Sequence, residues 1–300
     1  MSMPNSILVP LDGSTLSTEA LPLARTLARH YGAELHLVHV IPPALQLPLA
    51  SVESDLGVRE QVRAGALRYL EDFQREAEAE GIFASARVLE GRAGTALRDF
   101  IDLWGIELVV MTSHGSGGVV RWWLGSVADE LLSTAPADVL LVPPWDDTLD
   151  RPSGVPRFQK VLISLDGSEL SERALPPAIE LAELYSAELY AATVVPKPFE
   201  LTSIYGVSGV ELSGPGHEER LEEARAYLRQ VAERFGVAIE GRVVESGTPA
   251  EGIQSAVRAV GADLVVISSH GRGGLERVVL GSVADKVIRS SLVPVLVVRR

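Results

Sequence analysis

No cysteine occurs in the 300 residues, which removes disulfides, thiolate metal sites and thiol nucleophiles together. Aromatic residues are scarce at 5%, so any core has to be built from aliphatic side chains. No apolar run approaches the roughly 20 residues a membrane helix needs. The opening Met1-Ser-Met-Pro-Asn-Ser6 lacks a basic segment followed by an apolar one. The expectation is a soluble, cytoplasmic protein. Basic residues are the minority, 27 Lys and Arg against 40 Asp and Glu for a net charge of −13, and no basic run exceeds Arg299-Arg300. Such a surface repels phosphate backbones and anionic lipid, so nucleic acid and membranes are not expected partners. The imbalance is uneven: residues 1–150 hold 10 basic and 21 acidic side chains (net −11), residues 151–300 hold 17 and 19 (net −2). The second half is the more hospitable to an anion.

What the chain does contain is repetition. Ile7-Leu-Val-Pro-Leu-Asp-Gly-Ser14 returns as Val161-Leu-Ile-Ser-Leu-Asp-Gly-Ser168, and Ala20-Leu-Pro22 as Ala174-Leu-Pro176, at an offset of 154. Ser113-His-Gly115 returns as Ser269-His-Gly271, and Leu124-Gly-Ser-Val-Ala-Asp129 as Leu280-Gly-Ser-Val-Ala-Asp285, at an offset of 156. A tandem duplication follows. The Pro- and Asp-rich stretch between the copies has no apolar periodicity, which divides the chain into domains 1–144 and 158–300 joined by a linker over 145–157.

Within copy one the apolar runs 7–10, 35–40, 86–89, 108–111 and 139–142 are β-branched or Leu-rich without alternation, the pattern of buried parallel strands. Helical spacing fills the intervals at 17–31, 58–80, 95–104 and 126–133. Copy two repeats the scheme, with helices at 171–185, 218–235, 249–260 and 282–290. Pro22 and Pro176 lie a few residues into the first helix of each copy and should delay its regular start. Strand alternating with helix predicts an α/β fold: two tandem doubly wound, Rossmann-like domains, each a five-stranded parallel sheet with helices on both faces. Ligands then bind at the carboxyl ends of the strands.

The most informative segment follows the fourth strand. It reads Thr112-Ser-His-Gly-Ser-Gly-Gly118 through to Leu124-Gly-Ser126, and Ser268-Ser-His-Gly-Arg-Gly-Gly274 through to Leu280-Gly-Ser282. Glycines let backbone approach a ligand, and the closing Gly-Ser opens a helix whose amides and positive dipole end favour phosphate. Two readings stand side by side: a phosphate cradle, or turn glycines with Ser126 and Ser282 capping their helices. Asp12 and Asp166 similarly read either as ligand contacts or as Asp-Gly turns.

These segments resemble the universal stress protein family across both copies. The family's nucleotide-binding members carry Gly-x-x-Gly, nine residues, then Gly-Ser or Gly-Thr. Gly115 with Gly125-Ser126, and Gly271 with Gly281-Ser282, reproduce the second part, while Thr112 and Ser268 stand where the family has its first glycine. The resemblance implies an adenine nucleotide, ATP or else ADP or AMP, with Mg²⁺ arriving only with the nucleotide. It implies contacts from Asp12, Val40, Gly115, Gly118, Gly125 and Ser126 in copy one. In copy two the matching set is Asp166, Val194, Gly271, Gly274, Gly281 and Ser282; Arg272, beside Gly271, reads either as a phosphate contact or as a solvated loop side chain. It also implies pairing of domains through the last strands, 139–142 and 295–298, as an internal pseudo-dimer, with a homodimer of whole chains as a further step. Trp122-Trp123, where copy two has Val278-Val279, read as packing residues.

Three functional classes follow: a nucleotide-binding regulatory module, a stress-response scaffold without nucleotide, and a slow ATP hydrolase. A triad from Asp12, His114 and Ser126, or Asp166, His270 and Ser282, lacks a Gly-x-Ser-x-Gly elbow. Neither loop holds a lysine or a Gly-Lys-Ser phosphate loop. Six scattered histidines give no metal-ligand spacing. The binding module is the reading carried forward, with no catalytic and no metal residues.

Overall fold

The computed structural model describes residues 4–43, 52–113, 124–144, 157–197, 199–200, 211–212, 216–269 and 280–299. Copy one opens on β1 (Ser6–Pro10), whose Ile7, Leu8 and Val9 are fully buried. A single helical turn follows, α1 (Thr15–Thr18), and regular helix α2 (Leu21–Tyr31) starts only afterwards, with Pro22 in its first turn. That is where a residue without an N–H is tolerated, and the delayed start is the one the sequence predicts. Next come β2 (Glu34–Ile41), α3 (Val52–Ala79), β3 (Ala84–Glu90), α4 (Ala93–Trp104), β4 (Leu108–Thr112), α5 (Ser126–Thr134) and β5 (Asp138–Val142).

Copy two repeats this order as β6 (Lys160–Ser164), α6 (Glu169–Glu172), α7 (Leu175–Tyr185) and β7 (Glu188–Pro196). A short antiparallel pair, β8 (Phe199–Glu200) and β9 (Glu211–Leu212), intervenes. The copy then continues through α8 (His217–Phe235), β10 (Ile239–Ser246), α9 (Pro249–Val260), β11 (Leu264–Ser268), α10 (Ser282–Ser290) and β12 (Val295–Val298). Pro176 repeats the placement of Pro22 in the first turn of α7. At the far end of that helix Ser186 sits at φ 54°, left-handed without being glycine, where copy one uses Gly32 at φ 65°.

By internal contacts the chain forms two compact units. The first contains copy one and, from the far end of the chain, the residues from Pro294 onward. Its sheet runs β3-β2-β1-β4-β5-β12, with the five copy-one strands parallel and β12 antiparallel to β5. Val295 faces Leu141, Leu296 faces Leu140 and Val297 faces Val139. Arg299 fastens that end: its backbone N–H donates to Asp138 Oδ1 at 2.8 Å, and its guanidinium donates to the carbonyls of Leu131, Ser133 and Ala135 at the end of α5. A cation there meets the negative end of the helix dipole. Burial pulls the Arg299 guanidinium below its ordinary range, and Asp138 opposes the shift. In the second unit the parallel order is β10-β7-β6-β11.

All five residues of β4 and all five of β11 are buried, as parallel strands covered on both faces must be. The outer strands β3 and β10 are different. Both are half-exposed along most of their length, so the expectation of uniformly buried strands is corrected at those two edges. There the pairing runs on one side only, and Arg87, Glu240 and Arg242 keep the edge charged.

His36 on β2 is 2% exposed, with Nδ1 2.9 Å from Ser85 Oγ and its ring 5.9 Å from those of Phe100 and Trp104. Arg87 stacks on Trp104, Cζ 3.9 Å from the ring centroid. Burial lowers the His36 pKa from 6.5, Glu34 opposes that shift, and Arg87 adds to it. The unfolded chain therefore takes up a proton near pH 6.5 that the fold resists, so the contribution to stability is complete above that pH and lost as pH falls toward the folded pKa. Copy two carries Tyr190 at this position, its hydroxyl donating to Glu188 at 2.5 Å, and Glu34 is the counterpart of Glu188. His36→Tyr is expected to flatten the fall in urea midpoint between pH 7.5 and 5.5. An unchanged slope would remove His36 as its source.

Candidate functional site at the strand ends

In the first unit β1 pairs with β2 on one side and with β4 on the other, Ile7 opposite Leu108 and Leu8 opposite Val109. The chain leaving β1 proceeds to β2, and the chain leaving β4 proceeds to β5 on the opposite side. The strand order therefore reverses between β1 and β4, and the diverging connections leave a crevice above their carboxyl ends. The second unit has the same reversal between β6 and β11. Asp12 and Asp166 follow β1 and β6, while Ser113 with Gly125 and Ser269 with Gly281 follow β4 and β11.

Each Asp heads a closed set of hydrogen bonds. Asp12 Oδ1 accepts from the Ser14 N–H at 2.9 Å and from Ser14 Oγ at 2.5 Å; for Asp166 and Ser168 the values are 3.0 and 2.6 Å. The intervening Gly13 and Gly167 lie at φ 85° and 83°, a region that glycine enters without strain. The turn reading of the Asp-Gly pair is thus correct as geometry, and it places each carboxylate at the strand end beside the crevice.

The second strand contributes differently in the two copies. Leu11 N–H donates to Val38 O at 2.8 Å, and His39 Nδ1 lies 2.7 Å from Leu11 O, tying the ends of β1 and β2 together just before Asp12. Thr193 stands in place of His39 in copy two; it is 6% exposed and its Oγ1 has no hydrogen-bond partner among the described residues. Val40 and Val194, the next residues, are half-buried near the ends of β2 and β7. Against Val194 packs α9, whose Gly252 leaves room for the Val194 methyls.

At the fourth strand, Thr112 and Ser268 are the last residues of β4 and β11, 6% and 8% exposed. Their side chains occupy regular strand positions, so the departure from glycine costs no backbone strain there. Ser113 O accepts the Gly125 N–H at 2.8 Å, and Ser269 O accepts the Gly281 N–H at 2.8 Å. Each glycine-rich connection thus begins and ends at the crevice. Gly115, Gly118, Gly271, Arg272 and Gly274 lie outside the described residues, as do His114, His270, Trp122 and Trp123.

Two expectations are corrected here. Ser126 and Ser282 do not cap their helices: Gly125 and Gly281 are the N-caps, and the serines are the first helical residues. The Gly125 and Gly281 amides are also not offered to a ligand, since backbone carbonyls take them. What remains is a helix start without a capping side chain. Ser14, Ser168 and Thr248 each accept an amide from the first turn of their own helix, whereas α5 and α10 begin on glycine with no such bond. Asp129 and Asp285 stand in those first turns; Arg289 pairs with Asp285 at 2.7 Å, and Ser133 occupies the matching place in copy one.

Residues 3–143 and 157–299 each match the model of the universal stress protein family. The chain belongs to that family. A universal stress protein of Mycolicibacterium smegmatis is 30% identical over 302 residues, covering 98% of this chain and 96% of its own length. One from Methanocaldococcus jannaschii is 38% identical over 144 residues, 48% of this chain and 83% of its own. The solved structure of a universal stress protein from Archaeoglobus fulgidus superposes with a TM-score of 0.71 at 23% identity, covering 99% of this chain and 98% of that one. It shares the fold. The tandem arrangement read from the repeat is therefore a doubled universal stress domain.

Further polar residues adjoin the Asp turns. Ser17 and Ser171, 5% and 2% exposed, lie beneath the Asp turns. Tyr227 on α8 donates to Glu172 at 3.1 Å, and Arg234 donates to the other Glu172 oxygen at 2.5 Å. Burial, followed by the charge of Glu172, pushes the Tyr227 phenol well above its ordinary range, and Asp166 adds to the shift. Tyr69 on α3 is the copy-one counterpart, raised chiefly by burial, with Ser17 opposing and Asp12 adding to the shift. The recurrence of Ser-x-x-Ser, 14 to 17 and 168 to 171, was the available signal. Among the described residues no helix is long and apolar enough to cross a membrane, and no three His, Asp or Glu side chains stand together to hold a metal ion.

Proposed function

We propose that each copy binds an adenine nucleotide, ATP or else ADP or AMP, as a regulatory ligand in a stress response. The observation that carries the reading is the twofold coincidence, at one switch point per unit, of a strand-end Asp and a helix that starts on a glycine N-cap, which has no side chain to bond its first-turn amides. An uncapped first turn favours phosphate, and a carboxylate favours the hydroxyl groups of a ribose. Asp12, Val40, Gly125 and Ser126 form the described part of the first site; Asp166, Val194, Gly281 and Ser282 form that of the second. Gly115 and Gly271 are assigned to the phosphate end on the family pattern, Gly118, Gly274 and Arg272 on their place in the same glycine-rich segments, and any Mg²⁺ enters with the nucleotide. The second site is the stronger, because its half of the chain carries the smaller negative charge.

The test is equilibrium binding of ATP, ADP and AMP to the full chain, together with identification of any ligand released by denaturing the purified protein. Saturable binding is expected, lowered at least tenfold at the second site by Asp166→Ala and by Gly281→Val. A protein that binds none of the three is a scaffold instead. Phosphate release that survives Gly125→Val with Gly281→Val would place turnover elsewhere.

A further inference from the structure

The closed hydrogen-bond set at each Asp includes one residue that is buried away from the crevice. Ser17 Oγ accepts the Asp12 N–H at 3.3 Å and donates to Ser14 O at 2.9 Å, while the Ser17 N–H donates to Ser14 Oγ at 3.1 Å. Ser171 does the same with Asp166 and Ser168, at 3.2, 2.8 and 3.1 Å. The two copies, only partly alike in sequence, agree within 0.1 Å at every bond of the set.

The chemistry of the set is directional. Ser14 Oγ has one proton, which it gives to Asp12 Oδ1, and its lone pair receives the Ser17 amide. Ser17 Oγ has one proton, which it gives to Ser14 O, and its lone pair receives the Asp12 amide. Both hydroxyl protons are thus assigned and each oxygen accepts one amide, which favours a single arrangement of the loop from strand to helix. Two bonds on a single carboxylate oxygen fix the plane of the Asp side chain and hence where Oδ2 stands. A short side chain with a free χ2 would otherwise spread over a broad torsional range.

We infer that Ser17 and Ser171 are positioning residues, acting through Ser14 and Ser168 to aim the Asp12 and Asp166 carboxylates at the sugar of the nucleotide. The inference rests on the nucleotide reading above. Neither serine touches ligand; their contribution is preorganisation, which lowers what the loop must lose on binding.

The experiment is a double-mutant cycle on the full chain, read as ATP affinity. Ser17→Ala with Ser171→Ala is expected to weaken binding about tenfold, and Asp12→Ala with Asp166→Ala to weaken it further. In the Asp-substituted background the serine substitutions should cost nothing more, because the group they aim is gone; this coupling is what a serine that merely stabilises the fold would not produce. Thermal midpoints measured alongside report folding separately. If the parent binds ATP and the serine variants bind equally well, or their loss persists undiminished without the carboxylates, positioning is overturned and nucleotide binding stands. If the parent binds no adenine nucleotide, both fall.

Discussion

Deleting residues 294–300 is expected to unfold or aggregate the first unit, which is built otherwise from the opposite end of the chain. Val295, Leu296, Val297 and Val298 are 2, 4, 0 and 1% exposed. Burying the four aliphatic side chains of β12 is worth roughly 6–12 kcal/mol gross, against an ordering cost of about 4–8 kcal/mol for those four residues. The remainder for the strand, about 2–4 kcal/mol, is a large share of the ~5–15 kcal/mol that holds a domain together. Loss of β12 would also leave β5, an apolar strand buried from Val139 to Val142, with an unpaired edge, the usual route to intermolecular pairing. Chemical unfolding and size-exclusion chromatography measure both effects. Arg299→Ala, which keeps β12 but removes the donors to Leu131, Ser133 and Ala135, should cost only about 1–3 kcal/mol. A truncated protein that stays monodisperse with an unshifted transition would show that β12 is dispensable.

Gly252→Ala is expected to destabilise the second unit by about 1–3 kcal/mol, although alanine is the better helix former by about 1 kcal/mol. A Cβ built on Gly252 lies 2.6 and 2.7 Å from the two Val194 methyls and 3.1 Å from Ser246 Cβ. Valine's methyls hang on Cβ and cannot swing aside as the end of a long side chain would, so α9 or β7 must move. Because Val194 stands at the strand end beside the crevice, the same substitution should weaken ATP binding at the second site while sparing the first. At the corresponding place copy one has Ala96, so its helix already accommodates a methyl. An unchanged or raised unfolding midpoint for Gly252→Ala would mean that the helix relaxes freely and that the close approach is incidental.

The alternation of apolar runs with helical spacing was enough to read the doubled α/β fold, because parallel strands buried on both faces must be continuously aliphatic, as β4 and β11 are. The delayed helix starts at Leu21 and Leu175 were legible too, since proline's missing N–H acts locally. What escaped depends on neighbours distant in sequence. The pairing of Val295–Val298 with Val139–Val142 is found in the structure as the family resemblance implies, but the run itself does not name it, since its antiparallel partner β5 lies some 150 residues away. The exposure of β3 and β10 likewise follows from their rank in the sheet. At the candidate site, the repeat marks Asp12 and Asp166 as a recurring pair, and the family resemblance alone points to a ligand role for them. Gly125-Ser126 was misassigned by one residue, because Gly and Ser are both acceptable N-caps and only the backbone angles distinguish them. Ser17 and Ser171 looked like ordinary helix residues, since a hydroxyl's buried partners are invisible in a linear string. Gly252 carries no mark in the sequence that it is a point of close approach to Val194.

The placement of β12 also bears on how the protein is made. A ribosome delivers β5 first, and 156 residues separate Val142 from Val298. At translation speeds of about 5–20 residues per second, the nascent first unit waits roughly 10–30 s for its closing strand. Completion of the earlier half is thus deferred until most of the second copy has been made.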